Sequence, residues 1–438
     1  MYRYLIENYY EKTLPNISII YLPLNKNGFV DILSIDLEYT LKLKKAKNRI
    51  NEINTNLWED IKKYTNPYEL IYVFNNTNVF NNTNQYNNTN QYNNTNQYNI
   101  DNTHCEIKSV ANIRPLSRSF FKMIEIIYEF IPNIFNKKNV INSLHIAEGP
   151  GGFIEATRFI RNNLNNTATT DKAFGITLID NFHKNVPAWK QSNIFLKKHT
   201  EVIISTGIDG TGNIYNVENI LFLDKQIKEY CNVSNASCNT MQDTGLIDFI
   251  TADGGFDYSI EYNNQEQASS KLIFSQIITA LKCQKIGGDF VCKFFELNSY
   301  LTVEMLYILY LSYEKITIYK PFTSRIANSE KYIICNGYIG IDVKFLDELF
   351  NVLKDWNNKN NNHNQTINQL FIEIPIPFIQ KIKDINKIII NNQIQSINNI
   401  TNIIKNKTNL NKDWKKQNLQ KNIIFAKEWC KRYKIPYE

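Results

Sequence analysis

The sequence predicts an α/β fold built on a mostly parallel sheet of seven strands, with helices on both faces and an antiparallel hairpin at one edge. Between about 105 and 340, short apolar runs alternate with helical segments, a pattern typical of parallel strands joined by covering helices. The last two runs are separated only by a short loop, so we expect them to pair antiparallel. A glycine-rich turn after the first run marks the edge where such sheets bind ligands.

Each strand is predicted from an apolar run that ends at turn residues. The segment at 269–284 is predicted as the helix leading into the fifth strand, and the segment at 301–314 as the helix before the hairpin. The seven predicted strands are LHIAEG (144–149), FGITLID (174–180), TEVIIST (200–206), LIDFITADGG (246–255), GGDFVCKFF (287–295), KITIYKPF (315–322) and KYIICNGYI (331–339).

Changes in composition divide the chain into four predicted regions. Residues 1–73 form an N-terminal region, and 74–104 an Asn-rich insertion with near-copies of one hexapeptide, such as YNNTNQ. Because this tract is polar, it cannot bury enough apolar surface to become ordered, and a disordered loop is predicted. Its regularly spaced aromatic residues would alternatively suit single-stranded RNA. Residues 105–340 hold the sheet, and 341–438 are predicted as a mainly helical region of unknown role.

The composition favours an intracellular protein with an anionic partner. The net charge of +7 suits nucleic acid, but the abundance of Asn, Lys, Ile and Tyr is typical of AT-rich codons and explains part of the lysine content. The seven cysteines include no CxxC pair, which argues against a zinc ribbon or a disulfide framework and for a reducing compartment. No apolar run reaches 18 residues and no signal peptide is recognisable, so no membrane association is expected.

The turn AEGPGGF (147–153) joins the first strand to a helix and is predicted to hold a ligand. It matches neither the phosphate-binding GxxxxGK[ST] pattern nor the dinucleotide fingerprint GxGxxG. The carboxylate of Glu148 would repel a pyrophosphate but suits a cationic ligand with an amino group, such as S-adenosylmethionine. Asp180 would accept hydrogen bonds from a ribose, while a turn without a ligand is the alternative. The predicted cofactor residues are Glu148, Gly149, Pro150, Gly151, Gly152, Phe153 and Asp180.

Four charged residues are predicted to converge at the carboxyl ends of the strands. Asp253 ends the fourth strand, Lys293 interrupts the apolar fifth strand, and Glu330 lies in the hairpin loop. Lys122 lies on a helix ahead of the first strand. Apolar surroundings and a second cation favour a neutral Lys293, which would accept a hydroxyl proton, while Lys122 would stabilise the oxyanion. Asp253 and Glu330 would orient the amines, although Asp253, Glu330 and Lys122, taken singly, also fit ordinary structural roles.

These residues and their motifs resemble the FtsJ-like family of RNA ribose 2′-O-methyltransferases, whose signature is a Lys–Asp–Lys–Glu tetrad on such a sheet. The resemblance is greater to the cap-specific branch of that family, in the variants of large cytoplasmic DNA viruses or protists. The matching segments are TNPYELIY (65–72), AEGPGGF (147–153), GIDGTGNI (207–214), ADGGF (252–256), GGDFVCKFF (287–295) and KPFTSRIANSEKYIIC (320–335).

The resemblance implies a Rossmann-like methyltransferase fold, S-adenosylmethionine as cofactor and no metal. It implies that Asn213 and Ile214 contact the adenine, with Asn213 where the family more often has Asp, and that Asn328 helps to hold RNA. A substrate-binding edge is predicted at 62–68, with a merely structural helix as the alternative. The residues of this edge are Lys62, Lys63, Asn66 and Tyr68.

The function expected from the resemblance is methylation of the ribose of the first nucleotide of capped mRNA, with the tetrad as the catalytic residues. The expected partners are the m7G cap with its first nucleotides and other capping enzymes. A cytoplasmic location, in a viral factory or the host cytoplasm, is favoured over the nucleus. The alternatives are an enzyme for ribosomal or transfer RNA, a catalytically silent RNA-binding subunit, and a small-molecule O-methyltransferase.

Overall fold

The computed structural model describes most of the chain and leaves several segments out. The described residues are 2–6, 17–23, 34–73, 108–136, 140–164, 171–180, 186–231, 245–256, 262–363, 365–371, 374–406 and 411–438. The Asn-rich insertion predicted at 74–104 lies outside these ranges. Within them, no helix combines the length and the apolar character needed to cross a membrane.

The chain folds as two compact units. The larger, here called the sheet unit, comprises Met1–Ile53 and Pro115–Asn402, and the smaller, the helical unit, comprises Asn54–Arg114 and Ile403–Glu438. The region predicted at 341–438 is thus divided between the units, as is the N-terminal region predicted at 1–73.

The sheet unit is built on one mixed sheet with the strand order β1-β8-β9-β7-β6-β3-β4-β5. The run from β7 through β6, β3 and β4 to β5 is parallel, and β9 is antiparallel to both β7 and β8. A separate antiparallel pair joins β2 to β10. The strands are β1 Tyr2–Ile6, β2 Ile17–Pro23, β3 Asn142–Ile146, β4 Lys172–Ile176, β5 Val202–Ser205, β6 Ile247–Ala252, β7 Gln284–Phe294, β8 Tyr313–Lys320, β9 Lys331–Tyr338 and β10 Gln365–Phe371.

The predicted fold class is confirmed, with one strand more than expected in the main sheet and the separate β2–β10 pair besides. All seven predicted strands are present, and the last two pair antiparallel. The additional strand is β1, which pairs antiparallel with β8 and forms the edge of the sheet. Its five residues are too few for a clear alternation, and its partner lies some 310 positions away, so local sequence gives little sign of it.

Helices cover the sheet and form most of the helical unit. Several begin at a capping side chain: Asp36 accepts from the backbone N–H of Tyr39, and Ser299 accepts from that of Thr302. The helices are α1 Leu37–Asn51, α2 Thr55–Thr65, α3 Ser119–Phe130, α4 Gly152–Leu164, α5 Asn193–Lys198, α6 Val217–Tyr230, α7 Gln265–Cys283, α8 Tyr300–Ser312, α9 Val343–His363, α10 Ile376–Lys405 and α11 Lys412–Arg432.

The core of the sheet unit lies where the central strands meet α7 and α8. Leu144, Ile250 and Phe290 from three strands are fully buried, as are Phe274 of α7 and Leu306 of α8. Burial of such a side chain stabilises the fold by roughly 1.5–3 kcal/mol. Because β3, β4, β6 and β7 are parallel, their carboxyl ends meet at one edge, and the side chains that follow them lie close together.

Candidate active site

The four residues predicted to converge form two ion pairs at this edge. Nζ of Lys122, on α3, lies 2.7 Å from Oε1 of Glu330, just before β9. Nζ of Lys293, on β7, lies 3.2 Å from Oδ1 of Asp253 and donates to its backbone carbonyl at 2.7 Å. All four side chains are only 13–16% exposed, so the pairs are largely shielded from water.

Tyr332 joins the two ion pairs and was missed in the sequence. Its hydroxyl lies 3.1 Å from Oδ1 of Asp253 and 3.3 Å from Oε1 of Glu330, so it can donate to either. Burial raises the pKa of Tyr332 well above its ordinary value, and it therefore stays protonated as a donor. In the register of the sheet Tyr332 lies opposite Lys293. Its position two residues after Glu330, at the start of β9, places both side chains on one face, but a tyrosine there fits a core equally well.

The carboxyl group of Glu330 is held in its charged form. Burial alone would raise its pKa, but the positive charges of Lys122 and Lys293 lower it to about 2. Glu330 is therefore an anion at neutral pH. Each of the two lysines, Lys122 and Lys293, is thus paired with its own carboxyl group, Glu330 and Asp253.

The glycines of the ADGG segment (252–255) allow the backbone to approach the end of the Lys293 side chain closely. A Cβ at Gly255 would lie 2.9 Å from Nζ of Lys293, closer than side chains approach. The N–H of Gly254 donates to Oε1 of Gln276 at 2.9 Å, and a Cβ at Gly254 would lie 3.1 Å from the Cβ of Ala147. The two glycines therefore bring the end of β6 against both the lysine and the turn after β3.

The glycines of the turn at 147–153 pack against other parts of the protein. A Cβ at Gly149 would lie 2.3 Å from the carbonyl oxygen of Ala188. Gly151 has φ +106°, a conformation that favours glycine, and a Cβ there would lie 3.3 Å from the ring of Trp189. Further along, the ring of Phe153 is fully buried and packs on Tyr332 at 5.7 Å. The turn is thus fixed on one side by residues 188–189 and on the other by the tyrosine that joins the tetrad.

The carboxyl group of Glu148 is buried beside the start of α4. Its side chain is 1% exposed, with Oε2 accepting from the N–H of Ile154 at 3.1 Å and Oε1 accepting from the hydroxyl of Thr251. Burial raises the pKa of this carboxyl, although His145 beside it acts in the opposite direction. The carboxyl group stabilises the first turn of α4 from inside, and its contact with a ligand's amino group stays a prediction.

A second loop, GIDGTGNI at 207–214, is ordered by Asp209. Its carboxylate accepts hydrogen bonds from the N–H and hydroxyl of Thr211 and from the side chains of Asn216 and Asn219, and these donors keep its pKa low. The sequence does not single out Asp209 and Asn219, because Asx residues in or near a glycine-rich loop suggest only a turn.

The loop at 207–214 brings predicted cofactor residues together beyond β4 and β5. A Cβ at Gly212 would lie 2.1 Å from the carbonyl oxygen of Thr177, and the N–H of Ile179 donates to the carbonyl oxygen of Thr211 at 2.7 Å. These contacts set the loop against the segment ending in Asp180. Asn213 uses its Oδ1 to accept from the N–H of Tyr215 at 3.0 Å. Ile214 is 4% exposed and belongs to the core.

The predicted RNA-binding residues fall in both units. Asn328 is exposed in the loop beside Glu330, and its Oδ1 and carbonyl oxygen both accept from Lys320. In the helical unit, Asn66 is buried and donates to the carbonyl oxygen of Lys62 at 3.0 Å, while Lys62 itself pairs with Glu59. For Lys62 and Asn66 this placement favours the alternative that the segment is structural.

The comparisons with known proteins agree with this geometry. Residues 115–338, just over half of the chain, match the family described as FtsJ-like methyltransferase. The chain belongs to the FtsJ-like methyltransferase family. Members of this family take their methyl group from S-adenosylmethionine, so the predicted cofactor and the family resemblance are confirmed.

Relatives of the FtsJ-like domain include proteins named cap-specific mRNA (nucleoside-2′-O-)-methyltransferase 1. The one from Bos taurus is 32% identical over 54% of this chain and 25% of its own length. The one from Dictyostelium discoideum is 27% identical over 82% of this chain and 42% of its own length. The chain therefore spans about a quarter to two-fifths of these relatives. A solved putative ribosomal RNA methyltransferase from Plasmodium falciparum is 20% identical, with a TM-score of 0.34 over 51% of this chain and 99% of that one.

The residues around the glycine turn fit S-adenosylmethionine. Two buried donors there, Nε2 of Gln276 and Nε1 of Trp189, have no hydrogen-bond partner among the described residues. The side chains that carry them lie beside two glycines of the site, Gln276 at Gly254 and the ring of Trp189 at Gly151. Buried donors normally find an acceptor, so these two side chains are suited to a polar ligand at this edge of the sheet. Asp180 and the loop at 207–214 offer carboxylate and amide groups for the nucleoside part.

Proposed function

We propose that this protein transfers a methyl group from S-adenosylmethionine to the ribose 2′-hydroxyl of the first transcribed nucleotide of capped mRNA. The observation that carries the proposal is the Lys122–Glu330 and Asp253–Lys293 arrangement at the carboxyl edge of a sheet in an FtsJ-like domain. The choice of capped mRNA is supported by the segment KPFTSRIANSEKYIIC (320–335) and by the names of the relatives.

Lys293 is proposed as the general base. The ammonium form that pairs with Asp253 has no lone pair, so Lys293 must first lose a proton to act as a base; the neutral amine then has two N–H groups and one lone pair. Nζ of Lys293 lies 2.7 Å from the carbonyl oxygen and 3.2 Å from Oδ1 of Asp253, so its two N–H groups can donate to these oxygens. The lone pair is left to accept the proton of the 2′-hydroxyl, after which the amine becomes an ammonium. Asp253 therefore orients the base and balances the charge that it gains.

Lys122 is proposed to stabilise the oxygen anion that forms on the ribose. Glu330 holds Nζ of Lys122 at 2.7 Å, and Tyr332 links this pair to Asp253. Donors fixed before the reaction stabilise developing charge without reorganising during it. When bound, S-adenosylmethionine would supply an electrophilic methyl group, which passes to the 2′ oxygen while the sulfonium sulfur leaves as a neutral thioether.

The test is methyl transfer by the full chain from labelled S-adenosylmethionine to one RNA sequence in three forms: m7G-capped, capped without the N7 methyl group, and uncapped. Nuclease digestion and nucleoside analysis then locate the label. We expect a 2′-O-methyl group on the first nucleotide of capped RNA. Equal transfer to all three forms, or label at an internal ribose, would keep the chemistry but exclude the cap as its target. No transfer with the cofactor bound would favour a binding subunit.

We further propose that the protein works in the cytoplasm with other capping enzymes. The cysteines that the structure describes, such as Cys292 and Cys335, are thiols, which suits a reducing compartment. Imaging of the tagged protein in its native cell, with capture of capping enzymes on it, tests both statements. A nuclear signal without such capture would contradict them.

A further inference from the structure

The positive charge of the chain is concentrated at its C-terminal end. Residues 411–438 contain eight of the 49 Lys and Arg residues and three of the 42 Asp and Glu residues, a net charge of +5 out of +7. The other 410 residues are almost neutral. A codon bias acting on the whole chain would spread lysine evenly, so it does not account for this asymmetry.

Four lysines of α11 lie on one side of the helix. Lys412, Lys416, Lys427 and Lys431 are four or eleven residues apart, spacings that bring side chains to the same helix side. We name this set the lysine stripe. Three of its members are exposed and Lys427 is half-buried.

The charge of the lysine stripe is not neutralised within the described part of the chain. There, none of its four lysines forms an ion pair, and Asp413 and Glu428 on the same helix pair with none of them. Lys415, which faces α2, instead pairs with Asp60 at 3.0 Å. The lysine stripe lies on a different side of α11 from Lys415.

Aromatic rings accompany the cations of the helical unit. Trp414 of α11 lies 5.9 Å from Tyr64, and Lys415 lies 5.3 Å above the ring of Tyr64. Phe425 pairs with Tyr68 at 6.1 Å. These rings are half-buried, so part of each faces solvent. These rings lie on the side of α11 that faces α2, so they are not part of the lysine stripe, whose suitability for nucleic acid rests on its charge.

We propose that the lysine stripe is a docking surface for the RNA chain, which it holds by its phosphates without reading sequence. This inference rests on the proposed function, since that function supplies the RNA. An anionic membrane fits less well, because the apolar side of α11, with Ala426, Trp429 and Cys430, is buried in the helical unit's own packing and cannot insert.

The test measures RNA affinity of the full chain as a function of salt, with fluorescently labelled, uncapped single-stranded RNA as the probe. The variant K412Q/K416Q/K427Q/K431Q removes the stripe. The matched control K44Q/K45Q/K344Q/K381Q removes the same charge from exposed lysines of the sheet unit. Each phosphate contact on a single strand contributes about 0.7 to the salt slope, so we expect the stripe variant to lose about 3 units of slope. Its affinity should fall by about tenfold or more at low salt, and the control should behave as wild type.

Equal slopes and affinities for the two quadruple variants, with unchanged melting temperatures, would overturn the proposal. So would a stripe variant that loses binding to phosphatidylserine vesicles while it keeps its binding to RNA. Failure of the proposed function is separately visible, because it would abolish methyl transfer in the wild type while the difference in RNA affinity remained. With both proposals correct, the stripe variant has a raised KM for long capped RNA and an unchanged kcat.

Discussion

Lys293 is the residue on which the proposed chemistry depends most directly. Replacement by alanine removes the base and leaves Asp253 without its partner, so kcat should fall by at least about 100-fold, the lower range for a general base. Binding of RNA and S-adenosylmethionine should be largely kept. Single-turnover methyl transfer with both ligands saturating measures the effect.

The matched control for Lys293→Ala is Lys285→Ala. Lys285 lies on the same strand but is exposed and pairs with Asp248 away from the tetrad. Its loss should leave turnover unchanged. Normal methylation by Lys293→Ala would refute its role as the base.

Tyr332 offers a finer test, because its hydroxyl can be removed while its ring stays. Tyr332→Phe keeps the packing on Phe153 and breaks the link between Asp253 and Glu330. Hydrogen bonds to charged groups contribute about 1.5–3 kcal/mol, so kcat should fall by about 10- to 100-fold. The control is Tyr338→Phe, on the same strand as Tyr332. It removes a hydroxyl that donates to the carbonyl oxygen of Leu281 and should keep full activity. Similar kcat values for the two variants would show that the link is dispensable.

Some residues of the site can be predicted from the sequence and others cannot. Lys122, Asp253, Lys293 and Glu330 could be predicted to meet, because a charged side chain is costly inside an apolar strand and several of them followed strands that end at one edge. Tyr332 could not, because a tyrosine in SEKYIIC is equally suited to a core. Glu148 precedes the glycines as expected, but only the helix N-terminus beside it fixes the direction of its carboxyl group.

Among the elements, α10 gives part of the C-terminal region a role that the sequence left open. Gln393 on α10 donates to the carbonyl oxygen of Ala327 and the hydroxyl of Ser329, both at 3.1 Å. From the other side, buried Lys320 donates to the carbonyl oxygens of Asn328 and Glu330 at 2.9 and 2.7 Å. The loop that carries Glu330 is thus held between β8 and α10.

Gln393→Leu should therefore lower turnover without touching the reacting groups. Each lost hydrogen bond costs about 0.5–1.5 kcal/mol, so the loop should loosen and kcat should fall by about 3- to 10-fold, with KM for S-adenosylmethionine unchanged. Gln380→Leu is the control, because Gln380 lies on the same helix, is exposed and, among the described residues, bonds only to Asp384. A change in the cofactor's KM with constant kcat would place the effect of Gln393 elsewhere.

The elements themselves could be predicted where hydrophobic periodicity was strong. The seven strands and the helices at α7 and α8 follow from apolar runs of the right length, whereas β1 and the β2–β10 pair depend on partners hundreds of residues away. Strand pairing over such distances is decided by tertiary packing, which a local pattern does not contain.

For the whole molecule, the division into two units predicts which part of the protein S-adenosylmethionine stabilises against unfolding. S-adenosylmethionine at 100 times its dissociation constant stabilises the fold that binds it by about 2.7 kcal/mol. All residues proposed to hold it, from Gly149 to Ile214, lie in the sheet unit, while residues 411–438 pack with α2 in the helical unit. Amides of the sheet unit that exchange through its unfolding should therefore exchange about 100-fold more slowly with the cofactor, and those of α11 at an unchanged rate.

Hydrogen exchange followed by mass spectrometry, with peptides covering 147–164, 202–230 and 411–438, makes this comparison in one sample. Inosine at the same concentration is the control, because it has the ribose but neither the sulfonium nor the adenine. Equal slowing in all three peptides would mean that the two units unfold together, and the cofactor's effect would then belong to the molecule as a whole. Slowing confined to 411–438 would contradict the placement of the cofactor at the glycine turn.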